Sequence, residues 1–309
     1  VLFRSPMRNP GWVDLQVNGC LGVDFSSPAL TAEEFLRAAG FVLESGVAVF
    51  LPTLITSPPE VYRRNLRLIR ETVARHGLEE RIPGVHLEGP FLSAAPGAVG
   101  AHDPALVQLP AAEAVESLLD LAPGFIRLVT LAADVPGAFE AVRLLRSRGV
   151  AVSLGHHMAS AAQVSAATDA GAQALTHLGN GVPGVLPRHE NPIWAGLAED
   201  RLSAMIITDG HHLPESLIRV ICRVKGVERT IVVSDSSPAT GFPPGPCRVL
   251  GNDAILEPSG RLYNPATGYL VGSAVLLPEC MRHLDSLGIF TGAELEKVGR
   301  DNALKLIQG

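Results

Sequence analysis

Eight short apolar or β-branched runs recur along the 309 residues, most of them followed by a longer stretch with helical spacing. That alternation leaves few folds open, because repeated strand–helix units bury their strands only in a parallel sheet covered by helices. Strands are predicted near 12–17 (WVDLQV), 47–53 (VAVFLPT), 84–88 (GVHLE), 125–131 (FIRLVTL), 150–155 (VAVSLG), 173–177 (QALTH), 203–208 (SAMIIT) and 230–235 (TIVVSD). Thr31 with Glu34 and Ser160 with Gln163 read as capping boxes, and Pro59 opens another helix. Eight such units predict an α/β fold of the (β/α)8 TIM-barrel type, one domain over 7–309, whose chemistry sits on loops at the C-terminal ends of the strands. Three stretches break the rhythm. Residues 89–110 and 178–200 are long Gly/Pro-rich loops, and 236–270 reads as a loop or hairpin insertion beside the mouth. Two closing helices are expected over 273–287 and 292–306. The opening VLFRSP resembles a translated sequencing adapter, so residues 1–6 are set apart from the fold.

Composition narrows the partners. With 47% hydrophobic residues a sizeable core is available, and 25 basic against 31 acidic residues give a net charge of −6. That balance argues against nucleic-acid or anionic-membrane partners, both of which demand a basic face. Apolar stretches are cut well short of the roughly 18 residues a spanning helix needs. Cys20, Cys222, Cys247 and Cys280 form no CxxC pair, which predicts neither a disulfide framework nor a thiolate zinc site and fits a reducing cytoplasm.

The predicted strand ends carry Gln16 and Asn18, Glu88, His156, His177, Asp209 with His212, and Asp235. Glu, His and His suit a divalent ion such as Zn²⁺ or Fe²⁺, and three protein ligands with one open position form a hydrolytic rather than a structural site. His157 and His211 alternate to the opposite side of an extended segment, and His86 lies two residues deeper than Glu88, in a packing or supporting role. His76 and His283 fall on helices. Asp235, after a run of apolar residues, either faces the site or pairs with an Arg, since an unpaired buried carboxylate is costly.

The segments VDLQVNGCLG, HLEGPF with a following GAH, VTLAAD, GHHMA, THLGNG, TDGHHL, VVSDSS and LVGSA, in this order, closely resemble the motif series of the N-acetylglucosamine-6-phosphate deacetylases of the amidohydrolase superfamily. The resemblance covers residues 11 to 306. It implies that Glu88, His156 and His177 bind one catalytic divalent metal and that Asp235 donates and accepts protons. It also implies an amino-sugar substrate held by Ala101, His102, Asn180, Gly181, His212 and the segment Leu270, Val271, Gly272, with Arg188 on its phosphate. Asp209, beside His212, is counted with them. Where many superfamily members carry HxH and two metals, this chain has Gln16 and Asn18, poor transition-metal ligands, so a single metal is expected, Zn²⁺ before Fe²⁺. The family usually has an aromatic and Asn-Ala-Met after the strand-six His, whereas this chain has Leu178-Gly179-Asn180-Gly181-Val182, which reshapes the sugar pocket. Counting forward from His177 selects Arg188 for the phosphate, but counting back from Ala195-Gly196 leaves two extra residues, so His189 or an exposed role for Arg188 stays open. The family's small β-domain is expected to be missing, leaving the barrel alone, and a homodimer is implied. Deacylation of another N-acyl amine, opening of a cyclic amide, and a catalytically silent sugar-binding barrel are the alternatives.

Overall fold

The computed structural model describes residues 11–308; the VLFRSP segment lies outside them. Eight strands form one sheet in chain order: β1 (Trp12–Val17), β2 (Val47–Ile55), β3 (Val85–Glu88), β4 (Ile126–Leu131), β5 (Ala151–Leu154), β6 (Ala174–Leu175), β7 (Ser203–Ile207) and β8 (Thr230–Val233). Every neighbouring pair is parallel. The β1–β8 seam is closed by other means. One parallel bridge joins Val17 to Ser236, Asn18 N–H donates to the Ser236 carbonyl at 2.8 Å, and the buried Asp14 Oδ1 accepts the Ser234 N–H at 3.1 Å.

Helices return the chain between strands: α1 (Ala32–Glu44), α2 (Pro59–His76), α3 (Ala112–Asp120), α4 (Ala138–Ser147), α5 (Ala161–Ala170), α6 (Pro192–Ala198) and α7 (Glu215–Lys225). Both capping boxes form, at Thr31–Glu34 and Ser160–Gln163, each satisfying amides that the first helical turn leaves unpaired. The buried faces of these helices pack on outward-facing strand residues such as Leu87, Val129, Val152 and Ile206 in the main core. A second cluster gathers Leu51, Leu128, Ala151, Ala174, Met205, Ile207, Ile231 and Val233. Above it the inward positions turn polar: His86 bonds Thr53 (3.3 Å) and Thr130 (2.8 Å), Thr130 bonds Thr176 (2.8 Å), and the Thr176 hydroxyl donates to Ser153 Oγ (2.7 Å). The barrel is therefore apolar at its base and hydrogen-bonded beneath its mouth.

The 236–270 insertion is an antiparallel sheet of β9 (Gly245–Val249), β10 (Asn252–Leu256) and β11 (Leu262–Tyr263) with its own small core. Two predicted helices differ. The first, α8, runs Leu277–Ser286 because the expected opening residues are tied into the mouth: Ser273 N–H donates to the Asp235 carbonyl (2.8 Å) and Ser273 Oγ to the Ser234 carbonyl (2.7 Å). The second splits into α9 (Gly292–Glu296), a π-helical turn at Lys297–Asp301 and α10 (Asn302–Gln308). Inside that turn Gly299 lies so close to β1 that a Cβ would stand 2.7 Å from the Trp12 ring.

Candidate active site

Glu88 closes β3, while His156, His177 and Asp235 each stand two residues beyond the end of β5, β6 and β8. Those three residues have positive φ (52°, 29° and 50°), a conformation costly for a side chain with a Cβ and found where the surroundings hold a functional group in place. Their side chains converge. Glu88 Oε1 lies 3.1 Å from His156 Nε2 and 2.8 Å from His177 Nε2, and the two imidazole nitrogens are 3.1 Å apart. His156 Nδ1 is 2.8 Å from the Ala98 carbonyl, which can only accept, so that nitrogen carries the proton and Nε2 presents a lone pair. Three lone-pair-bearing atoms thus meet where one proton can serve only one of their contacts. A cation shared by all three satisfies them together, and the set Glu/His/His with the outer His156 nitrogen fixed by a carbonyl fits a divalent metal. Burial pushes the Glu88 carboxyl up, yet its close contacts with the His156 and His177 rings hold it well below the usual carboxylate range; burial likewise opposes charge on His177, but Glu88 draws its pKa upward.

Gln16 and Asn18 contribute donors. Gln16 Nε2 reaches Glu88 Oε1 (2.9 Å) and Asp235 Oδ1 (3.1 Å), and Asn18 Nδ2 reaches the same Asp235 oxygen at 2.7 Å. Asp235 faces the site, not an Arg; burial, then the charge of Glu88, pushes its pKa up to about 6. His102 Nδ1 accepts the Thr56 N–H at 3.3 Å, which places its proton on Nε2, 3.9 Å from Glu88 Oε2. Burial and the neighbouring His156 push the His102 pKa down to about 3, so the ring stays neutral and offers one N–H to the site. His212 is held by Asp209, whose Oδ2 lies 2.7 Å from its Nδ1.

A cavity of about 250 Å³ opens on this cluster, lined by Asn18, Glu88, Ala101, His102, His156, His177, Asn180, Gly181, His212, Asp235, Leu270 and Gly272. Several expected residues lie elsewhere. Asp209 binds His212 and the N–H groups of His211 and His212 with its carboxylate and does not line the cavity, Val271 packs in the small-sheet core, and Gln16 sits beneath the floor. Arg188 is exposed on the 178–191 loop, its carbonyl accepting from Trp194 Nε1 at 3.2 Å, and does not line the cavity; His189 is exposed as well. Ile55, Val182, Leu250 and Tyr269 also line the wall, and Thr56 sets the His102 tautomer. Apart from Val182, which belongs to the altered segment after His177, motif spacing singles out none of these, because their role depends on which loops meet. Of the secondary histidines, His86 joins the hydroxyl layer, His157 Nδ1 accepts the Ala159 N–H, His211 bonds the Ser259 carbonyl, His283 bonds the Thr208 carbonyl and His76 is exposed.

A parallel eight-stranded barrel with a buried Glu/His/His cluster and a separate carboxylate at its mouth defines a metal-dependent amidohydrolase. No protein-family model matches the chain. An N-acetylglucosamine-6-phosphate deacetylase of Danio rerio is 34% identical over 301 residues, covering 93% of this chain and 72% of that protein. An N-acetylgalactosamine-6-phosphate deacetylase of Escherichia coli is 32% identical over 286 residues, covering 92% and 74%. Among solved structures, an aspartate-to-alanine variant of N-acetyl-D-glucosamine-6-phosphate deacetylase from Mycobacterium smegmatis, in complex with N-acetyl-D-glucosamine-6-phosphate, superposes with a TM-score of 0.87 at 31% identity, over 97% of this chain and 77% of that one. The chain belongs to the N-acetylglucosamine-6-phosphate deacetylase family.

Proposed function

We propose that this chain hydrolyses the acetamide of N-acetylglucosamine 6-phosphate to glucosamine 6-phosphate and acetate. The observation that carries the proposal is the convergence of Glu88, His156 and His177 on one point, with Asp235 beside them on the wall of the same cavity. Glu88, His156 and His177 would hold one divalent ion, for which Zn²⁺ is our choice from the donor set. When bound, that ion supplies acidification of the attacking water, toward a pKa of about 7, and polarisation of the amide carbonyl. Asp235 takes a proton from the water as its oxygen attacks the carbonyl carbon. The neutral His102 donates Nε2–H to the carbonyl oxygen as negative charge develops there. Asp235 then returns the proton to the nitrogen as the C–N bond breaks, so an amine leaves rather than an amide anion. Asn180 and His212 are polar groups on the cavity wall able to orient the sugar hydroxyls.

A second reading has a specific observation behind it. Among the described residues lining the cavity, none is Lys or Arg, and Arg188 is exposed on its loop. An unphosphorylated N-acyl amino sugar would need no such cation. Acetate release from N-acetylglucosamine and N-acetylgalactosamine, each with and without a 6-phosphate, separates the readings when metal-loaded protein is compared with Asp235→Asn. Release that requires the phosphate and is lost in the variant supports the first; release indifferent to phosphate supports the second. We place the reaction in the cytoplasm, in keeping with four free cysteines, and expect a homodimer, which sedimentation would reveal. No described helix is long and apolar enough to cross a membrane.

A further inference from the structure

Two buried amides on β1 hold Asp235 by one oxygen. Asn18 Nδ2 lies 2.7 Å and Gln16 Nε2 3.1 Å from Asp235 Oδ1, and the second Gln16 hydrogen reaches Glu88 Oε1 at 2.9 Å. Asp235 Oδ2 receives neither. The same side chains leave their own acceptors without a hydrogen-bond partner among the described residues: Gln16 Oε1 and Asn18 Oδ1 are both fully buried. The acceptors therefore make no contact that would hold the amides here, whereas each donor satisfies a buried carboxylate oxygen. Their donor hydrogens are what the site uses.

We propose that Gln16 and Asn18 are positioning residues for proton transfer: by engaging Oδ1 from two sides they leave Oδ2 as the oxygen through which Asp235 exchanges the proton with the water and the leaving nitrogen. Both lone-pair directions of Oδ1 are taken by N–H donors, so a proton on the carboxyl resides on Oδ2. Gln16 further ties the carboxyl to Glu88, which stops the Asp235 side chain from turning away between the two proton transfers. This inference rests on the deacetylation proposed above and on Asp235 as its acid and base.

The test compares the metal-loaded wild type with Asn18→Leu, which touches no proposed metal ligand, and with Asn18→Ser, which retains a smaller donor. Metal content, thermal midpoint, kcat and KM are measured for each. We expect Asn18→Leu to keep its metal and a cooperative thermal transition, while kcat falls about 10- to 100-fold, within the range of acid–base contributions, and KM stays within about threefold. Asn18→Ser should recover part of kcat. A kcat within threefold of wild type in Asn18→Leu overturns the inference, as does a loss seen wholly in KM. Should Asn18→Leu fail to fold, Asn18→Ser decides by the same criteria: a partial kcat loss at constant KM supports positioning, and none refutes it. No release by the wild type defeats the underlying reaction and the inference together, whereas release at the wild-type rate in both variants defeats the inference alone.

Discussion

At Gly181 the lack of a side chain decides whether two imidazoles can face one ion. Its φ is +62°, and a Cβ there would stand 2.9 Å from His156 Nδ1 and 3.1 Å from His177 Cε1. Gly181→Ala should therefore displace both rings and weaken metal binding by the 10- to 100-fold typical of lost support around a ligand, read by titration with the metal while the far-ultraviolet spectrum is unchanged. Asp235→Asn keeps the shape of the carboxyl and removes its proton chemistry; kcat should fall about 10²- to 10⁴-fold with metal content intact. Residues whose role follows from their own chemistry at a strand end, such as Glu88, His156, His177 and Asp235, were legible in the sequence as candidates. Thr56 was not, since a backbone amide on a different loop gives no signal in the order of side chains. Nor could counting along the chain locate Arg188, because loop length does not say which way a loop turns.

Between elements, amide side chains couple the small sheet to the catalytic loop. Asn252 Nδ2, at the start of β10, donates to the Ala101 carbonyl at 3.0 Å, and its Oδ1 accepts from Asn264 Nδ2 at 3.2 Å. Asn252→Ala should loosen the segment carrying Ala101 and His102 and lower kcat/KM by the ~5-fold that about 1 kcal/mol of lost hydrogen bonding represents. The seam element gives a pH prediction. Burial is the leading cause that pushes the Asp14 pKa up to about 7 from 3.8, while its Oδ1 accepts from Ser234 and Gln16 N–H groups. A carboxyl raised in the folded state binds its proton more tightly there, so the stability it confers is complete below about pH 4 and is lost as pH rises towards 7. Denaturant titrations should show that slope in the wild type and a flatter profile in Asp14→Asn; equal slopes would exonerate Asp14. Strand periodicity reported the eight strands to within two residues at either end, because burial on both faces leaves continuous apolar runs. Of the last two helices, one was drawn too long and the other drawn unbroken, each for a tertiary reason: Ser273 serves the mouth and Gly299 fits against Trp12, neither of which helical spacing registers.

For the molecule as a whole, a bound ion is also a stabiliser. Glu88, His156 and His177 are buried against one another, and an ion that binds only the folded chain should add about 2.7 kcal/mol when present at 100 times its dissociation constant. Chelation should thus lower the thermal midpoint, and Gly181→Ala should blunt that response. The β1–β8 seam carries a kinetic consequence. Asp14 and Ser234 are 220 residues apart in sequence, and the amides of β1 meet Asp235 only once that gap is closed. Contacts of such separation form slowly, because the entropy of closing the loop must be overcome first. Helical signal can therefore return early in refolding while hydrolysis is still absent, and the rate at which acetate release reappears becomes a stopwatch for the final joining of the first strand to the last.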